Sequence, residues 1–247
     1  MKNFVSIFGL TILFVVTISI PITRAAAEMV PLGAYQWPPY EINKPKNELR
    51  GTDLEVIEEA FSRIGLSVTF KFLPWKRQML MAKRGEIAGV TVCAWRKERE
   101  EFFLFSDVVS YATDGFFWRR GFNAPELKSL EDIRGRKVGG GLGYQSFKTL
   151  QEVVPNARSY RTEELALNHL MKERIDYLYL TKEVSEFIAK QLGISGKLNF
   201  SKITQKTLHI CFSKKWSGVK GLMTKFNKSL AEIKADGTYK KIHDKYR

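Results

Sequence analysis

From residue 29 onward the chain alternates short β-type runs with amphipathic helical stretches, and that alternation restricts its fold more than any other feature. Met29 to Tyr35 reads as a strand. Leu54, Ile57, Phe61 and Ile64 recur at helical spacing, with Thr52 or Asp53 as the expected cap and Gly65 as the stop. Val68, Phe70 and Phe72 alternate with Thr69 and Lys71, the pattern of a half-buried strand. Pro74 suits the first turn of a second helix, through Met79 and Leu80 to Gly85, and Ile87 to Cys93 is a third strand. After an extended stretch from Val108 to Trp118 and a polar turn, the pattern restarts. Arg136 to Gly140 is a strand, Gln145 to Val153 a helix, and Thr162 caps a helix carrying Leu165, Leu167, Leu170 and Met171. Ile175, Tyr177 and Tyr179 alternate ahead of a helix from Lys182 to Leu192, and Lys206 to Phe212 is a last strand. A long amphipathic helix with Val219, Phe226, Leu230 and Ile233 on one face ends at Gly237, before a short terminal helix. Helices that follow each strand predict an α/β fold with mostly parallel pairing and right-handed crossovers. Periodicity leaves open whether this is one large sheet or two lobes joined near residues 108–118 and 206–213.

The N-terminus carries a different signal. Lys2 precedes an apolar run from Phe4 to Ile22, and Ala25-Ala26-Ala27 offers a small-residue cleavage site, so residues 1–27 read as a signal peptide and Glu28 as the first mature residue. An uncleaved anchor is the competing reading, because the run approaches the ~20 residues that span a bilayer; Pro21 and the alanine triplet favour cleavage. The formal charge of +14 becomes +12 once Lys2 and Arg24 leave with the leader (14 − 2). Such a charge fits nucleic acid, anionic lipid or an anionic solute, or a generally basic surface. Export and the lack of any basic block argue against nucleic acid. The three histidines are scattered without metal-ligand spacing, so no metal is expected. Cys93 and Cys211 both lie in β-type runs; an exported chain permits a disulfide, and two buried free thiols are an equal alternative.

Several local patterns, in order, resemble the family 3 extracellular solute-binding proteins, the amino-acid-binding components of ABC transporters. They are Trp37-Pro38-Pro39-Tyr40 followed by Gly51-Thr52-Asp53-Leu54; Pro74-Trp75 with Arg77, then Gly85-Glu86-Ile87; and Glu98-Arg99 followed by Phe105-Ser106-Asp107. In the second half they are the run Leu130 to Gly139, the run Leu170 to Asp176, and Ala235 to Tyr239 with Ile242 and Lys245. Each is weak alone, and the ordered set covers the mature chain. The resemblance implies a two-lobed periplasmic binding protein fold of type II-like form, with two mixed sheets flanked by helices and joined by two crossover strands. Lobe 1 would be residues 28–116 plus 210–247 and lobe 2 residues 117–209. A small-molecule ligand would be held between them by hinge closure, for delivery to an ABC transporter membrane permease, in the periplasm, by a monomer without a cofactor.

The cleft chemistry follows residue by residue. A carboxylate taken out of water needs a charge-assisted, preferably bidentate partner, and Arg99 matches the family's carboxylate-binding arginine; a surface arginine beside Glu98 and Glu100 is the bland reading. Trp37 and Trp75 fall where the family places aromatic residues around the ligand, and core packing is their alternative. Tyr40 either joins them or packs beneath the loop, and Arg77 points either into the cleft or to solvent. Tyr144, Gln145 and Ser146 open a helix after Gly143, where free backbone N–H groups make an anion site; the run Gly139-Gly140-Gly141 lacks nucleotide-fingerprint spacing. Trp95-Arg96 lies in a loop about three residues longer than in typical family members.

Departures from the family pattern bear on the solute. The aspartate that usually pairs with the ligand's ammonium corresponds to Thr181, and the first-lobe aspartate to Ala88. Ala94-Trp95-Arg96 replaces the threonine-rich run, and Tyr144 replaces a small residue. A buried ammonium without a carboxylate is costly. The solute therefore either lacks an α-ammonium, tilting toward an anionic or aromatic compound, or finds another acid such as Glu41. An enzyme of dehydratase type on the same fold is a rival reading, with Glu41 or His209 as the only candidate acid–base groups; a sensing subunit acting through a separate membrane receptor is another.

Overall fold

A computed structural model describes residues 29–43, 49–125 and 127–246; the expected signal peptide, residues 1–27, and its cleavage before Glu28 lie outside the described residues. Among the described residues nine strands form one continuous hydrogen-bonded sheet with two halves of the same design. In the first half β1 (Met29–Ala34) lies between β2 (Ser67–Phe72) and β3 (Gly89–Ala94), parallel to both. In the second, β6 (Val138–Gly141) lies between β7 (Arg158–Tyr160) and β8 (Tyr177–Thr181), again parallel to both. The joint consists of β5 (Ser110–Arg119) and β9 (Leu198–Ser213), which pair antiparallel from Ser110↔Leu208 to Arg119↔Leu198. β9 then passes into the first half, antiparallel to β3 and to the short β4 (Phe103–Phe105), while β5 pairs antiparallel with β8. Parallel pairing thus holds inside each lobe, and the expected mostly parallel sheet becomes mixed at the crossovers. The crossover strands run antiparallel because the chain leaves by one and returns by the other.

Among the described residues seven α-helices cover these strands: α1 (Thr52–Arg63), α2 (Trp75–Arg84), α3 (Gln145–Val153), α4 (Glu163–Met171), α5 (Lys182–Gln191), α6 (Val219–Ala235) and α7 (Thr238–Asp244). In the first lobe α1 and α6 press Phe61 and Phe226 together, ring centroids 5.3 Å apart, over Leu32, Ile57 and Phe212. Each such ring removed from water stabilises by roughly 2–3 kcal/mol. In the second lobe Phe116, Phe147, Tyr177 and Tyr179 fill one face of the sheet, and Phe117, Leu167, Leu170 and Leu178 the other.

Two local expectations need correction. The N-cap of α1 is Gly51, with no side-chain cap; Thr52 and Asp53 are its first turn. Gly51 is required because φ is 116° and a Cβ there would meet the Tyr40 carbonyl oxygen at 2.3 Å. Asp53, free of capping duty, accepts hydrogen bonds from Thr52 Oγ1 (3.0 Å) and Ser110 Oγ (2.6 Å), tying α1 to β5. β9 also begins eight residues before the expected Lys206, because Leu198–Gln205 is mostly half-buried or exposed and lacks an apolar alternation. Thr162 caps α4 as expected, accepting from the Leu165 N–H at 3.2 Å.

Candidate functional site

The cleft between the lobes is built on the crossover strands. Antiparallel register puts Ala112 opposite Lys206 and Ser110 opposite Leu208, so Ala112, Asp114, Lys206 and Leu208 share one face while Thr113 and Gln205 take the other. On the first face Ala112 and Leu208 pack with Tyr40, Val92 and Val184, and against them lie the partly buried Tyr35, Trp37 and Ala94. Residues of both lobes meet there.

An aromatic wall rises from the loop after β1. Trp37 and Glu41 close that loop with paired backbone hydrogen bonds of 2.9 and 3.1 Å. Tyr35 stacks on Trp37 at 5.8 Å and meets Trp75 edge-on at 5.7 Å, and Trp75 opens α2. The indole N–H of Trp37 is buried and has no hydrogen-bond partner among the described residues. Tyr40 is buried, its ring 4.7 Å from Trp37, and its hydroxyl donates to the Tyr111 carbonyl at 2.7 Å. It packs beneath the loop, the second of its two sequence readings.

Arg99 lies against this wall, with its guanidinium 5.2 Å from the Trp75 ring and Nη1 donating to the Ala94 carbonyl at 2.6 Å. Half-buried, it has no carboxylate in ion-pair range among the described residues. Burial, and then Arg96, lower its pKa below the usual arginine value. Arg96 belongs to solvent, 3.8 Å from Glu98, and the exposed Trp95 donates to Glu100 at 2.9 Å. Arg77 is exposed on α2. Behind Arg99, Cys93 and Cys211 form a disulfide between β3 and β9, Cα atoms 5.8 Å apart, with Cys93 Sγ 3.5 Å from Arg99 Nη1. The bulge between Val90 and Cys93 places Val92 at φ 48°, a conformation that a β-branched residue adopts only under constraint.

The second lobe contributes the N-termini of α3 and α5. Tyr144 is the N-cap of α3, with its ring folded over Gly141, where a Cβ would meet it at 2.2 Å. Its hydroxyl lies near enough to Tyr35 to raise that phenol further, beyond the larger effects of burial and Glu41. Burial, with Glu163 second, pushes the Tyr144 phenol up to about 12. Gln145 and Ser146 follow in a first turn that no side chain caps. Thr181 is the N-cap of α5, and its hydroxyl donates to Asp114 Oδ1 at 2.7 Å. The other oxygen of Asp114 pairs with Lys206 Nζ at 2.5 Å. Tyr35, Asp114 and Lys206 were not among the sequence candidates. The signal for Asp114 was an aspartate inside an otherwise apolar strand, which needs a partner when buried.

Both proposed acid–base residues are committed elsewhere. Glu41 is fully buried, bonded to Thr91 Oγ1 and accepting from the Tyr35 N–H at 3.1 Å, and burial lifts its carboxyl to about 8. That also removes it as an acid for a solute ammonium. His209 is buried between the Ser106 carbonyl (2.7 Å) and Thr207 Oγ1 (2.9 Å), so both ring nitrogens are engaged. A cavity of about 720 Å³ lies elsewhere, on the Gln205 side of the crossover strands between α5 and α7; it includes Tyr40 but neither Arg99 nor Trp37. The aromatic wall and Arg99 lie apart from that cavity and remain the candidate site on their chemistry. Among the described residues no group of histidine, cysteine, aspartate and glutamate is suited to hold a metal, and no helix is long and apolar enough to cross a membrane.

Residues 32–247 match the family described as bacterial extracellular solute-binding proteins, family 3. The probable amino-acid-binding protein YxeM of Bacillus subtilis (strain 168) is 28% identical over 208 residues, covering 82% of this chain and 78% of YxeM. Among solved structures, an ancestral cationic amino acid solute-binding protein superposes with a TM-score of 0.73 at 22% identity, covering 88% of this chain and 95% of that one. A histidine kinase sensor domain with similarity to periplasmic binding proteins gives 0.69 at 21% identity, covering 89% and 96%. At those identities the structures speak to the fold.

Proposed function

The chain belongs to the family 3 bacterial extracellular solute-binding proteins, and from that membership we propose that it captures a small carboxylate-bearing solute, an amino acid or a related organic acid, in the periplasm for an ABC-type permease. The observation that carries the reading is Arg99, a half-buried guanidinium without a carboxylate partner among the described residues, held against Trp75 at the foot of an aromatic wall. A planar cation so placed forms two parallel hydrogen bonds to an arriving carboxylate. Tyr35, Trp37 and Trp75 cover the solute's apolar part, and Tyr144 with the open first turn of α3 comes from the opposite lobe. The proposal includes lobe limits of 28–116 with 210–247 and 117–209, cleavage near Ala27, and action as a monomer without nucleic acid, metal or cofactor. The passage of β9 from β5 to β3 and β4 supports such a division.

Binding without turnover is favoured over a dehydratase by the commitment of Glu41 and His209 to their neighbours. Native mass spectrometry of the mature protein, followed by a thermal-shift screen of amino acids and organic acids, tests the proposal. A retained carboxylate solute, or a stabilisation approaching ~2.7 kcal/mol at a hundredfold excess over Kd, is expected. Arg99→Met removes the shift and leaves the melt of the free protein within a few degrees. A solute that binds Arg99→Met as well as the parent refutes the assignment. Turnover of a cyclic acid would establish the enzyme instead, and ligand-dependent contact with a membrane receptor the sensor.

A further inference from the structure

The cleft floor carries one ion pair whose two halves differ in burial. The Asp114 side chain is 3% exposed and its Oδ1 is fixed by Thr181 at the start of α5, whereas the Lys206 side chain is 40% exposed and reaches Oδ2 on a flexible stem. Both residues lie on the face of β5 and β9 that also presents Ala112 and Leu208 to Tyr35 and Trp37. Glu163, buried beside Asp114 and hydrogen-bonded to Ser185, has its carboxyl raised to about 8 by burial, and it is Asp114 whose oxygens meet Lys206 and Thr181. A carboxylate buried this deeply requires a cation, and the structure supplies one that can swing back into water at little cost.

We propose that Asp114 and Lys206 form an exchangeable ion pair, in which the ammonium of the solute displaces Lys206 from Asp114 while its carboxylate engages Arg99. Lys206 is a placeholder counter-ion, and Asp114 supplies from the crossover strand the acid that Thr181 lacks. The inference rests on the cleft being the solute site and narrows its solute to one with an ammonium as well as a carboxylate. It reverses the tilt toward an ammonium-free anion that Thr181 alone suggests. Solutes without an ammonium leave the lysine in place and gain nothing from Asp114, so the pair selects by charge.

The test uses calorimetric titration of the mature protein with L-arginine, L-histidine and L-phenylalanine, each beside the analogue in which hydrogen replaces the α-ammonium. At least one amino acid is expected to bind about 10- to 100-fold tighter than its analogue, the size of one charge-assisted hydrogen bond. Asp114→Asn abolishes that preference. Lys206→Met lowers the melting temperature of the free protein, and the same amino acid binds it several-fold tighter, because no resident cation has to leave. Should Asp114→Asn fail to fold, the preference of the parent and the gain in Lys206→Met decide the matter. Equal binding of amino acid and analogue, or weaker amino-acid binding by Lys206→Met, overturns the exchange and leaves solute capture by Arg99 intact. Failure of all six probes also overturns it, and solute capture is then judged separately by the retained mass.

Discussion

Glu41 offers a test of proton bookkeeping inside the loop that carries Trp37. The Thr91 hydroxyl lies 2.9 Å from the Gly33 carbonyl and also bonds Glu41 Oε1, yet it owns a single proton. The inventory balances if Thr91 donates to Gly33 and a protonated Glu41 donates to Thr91, with Oε2 accepting from Tyr35. A carboxyl raised from 4.5 to about 8, mainly by burial, agrees. Because the folded chain holds this proton and the unfolded chain does not, stability falls as pH rises from about 4.5 to about 8, at up to about 1.4 kcal/mol per pH unit for this group. At pH 7 the accumulated loss is about 3 kcal/mol, set by the 2.5 pH units above the reference value. Glu41→Gln keeps the shape and the donor to Thr91, removes the titration, and leaves one amide hydrogen without a partner, at about 1–3 kcal/mol. The variant is therefore less stable than the parent at pH 5 and equal or more stable at pH 7.5. The change in the difference between the two is about 3 kcal/mol, or roughly 6–10 °C in Tm for a chain of this size. Asp53 and Glu163, raised to about 7 and about 8 by burial, titrate in both proteins and largely cancel in that difference. Melts at half-unit pH steps read it directly. Parallel curves for parent and variant would refute the buried proton.

Three further outcomes follow from the frame. The disulfide joins residues 118 apart in sequence, and loop-closure entropy assigns it up to about 5 kcal/mol; Cys93→Ala with Cys211→Ala should lower Tm by roughly 10 °C, and a shift within error would show that the thiols contribute packing alone. A Cβ at Gly115 would meet the Ser201 carbonyl oxygen at 2.2 Å and the Phe200 ring at 2.5 Å. Gly115→Ala should therefore cost about 1–3 kcal/mol by wedging β5 from β9, and an unchanged denaturation midpoint would contradict that contact. Tyr144→Ala removes the second lobe's ring from the cleft and should weaken solute binding while leaving the melt of the free protein nearly unchanged; unaltered affinity would place Tyr144 outside the site.

The element pattern was legible because local periodicity carries it: apart from β4, β7 and the first half of β9, the helices and strands above were expected within a few residues. The first half of β9 was hidden because most of its residues are half-buried or exposed and its apolar side chains, Leu198, Phe200 and Ile203, keep no strict alternation, while β4 and β7 are three residues each, too short to set a period. The Trp37, Trp75 and Arg99 cluster was legible through motif order, and the structure brings these three together. Tyr40 and Arg77 were ambiguous in sequence, and burial separated them, one beneath the loop and one exposed on α2.

The sequence by itself determined the α/β class and the family resemblance, and it singled out Arg99 as a candidate, since each rests on residues close together in the chain. Tertiary structure decided the pairing of Cys93 with Cys211, the commitment of Glu41 and His209, and the meeting of Asp114 with Thr181 and Lys206. Asp114 and Lys206 stand 92 residues apart and meet because β5 and β9 cross between the lobes side by side in antiparallel register. Register between distant strands is set by the packing of both lobes, which no local spacing records.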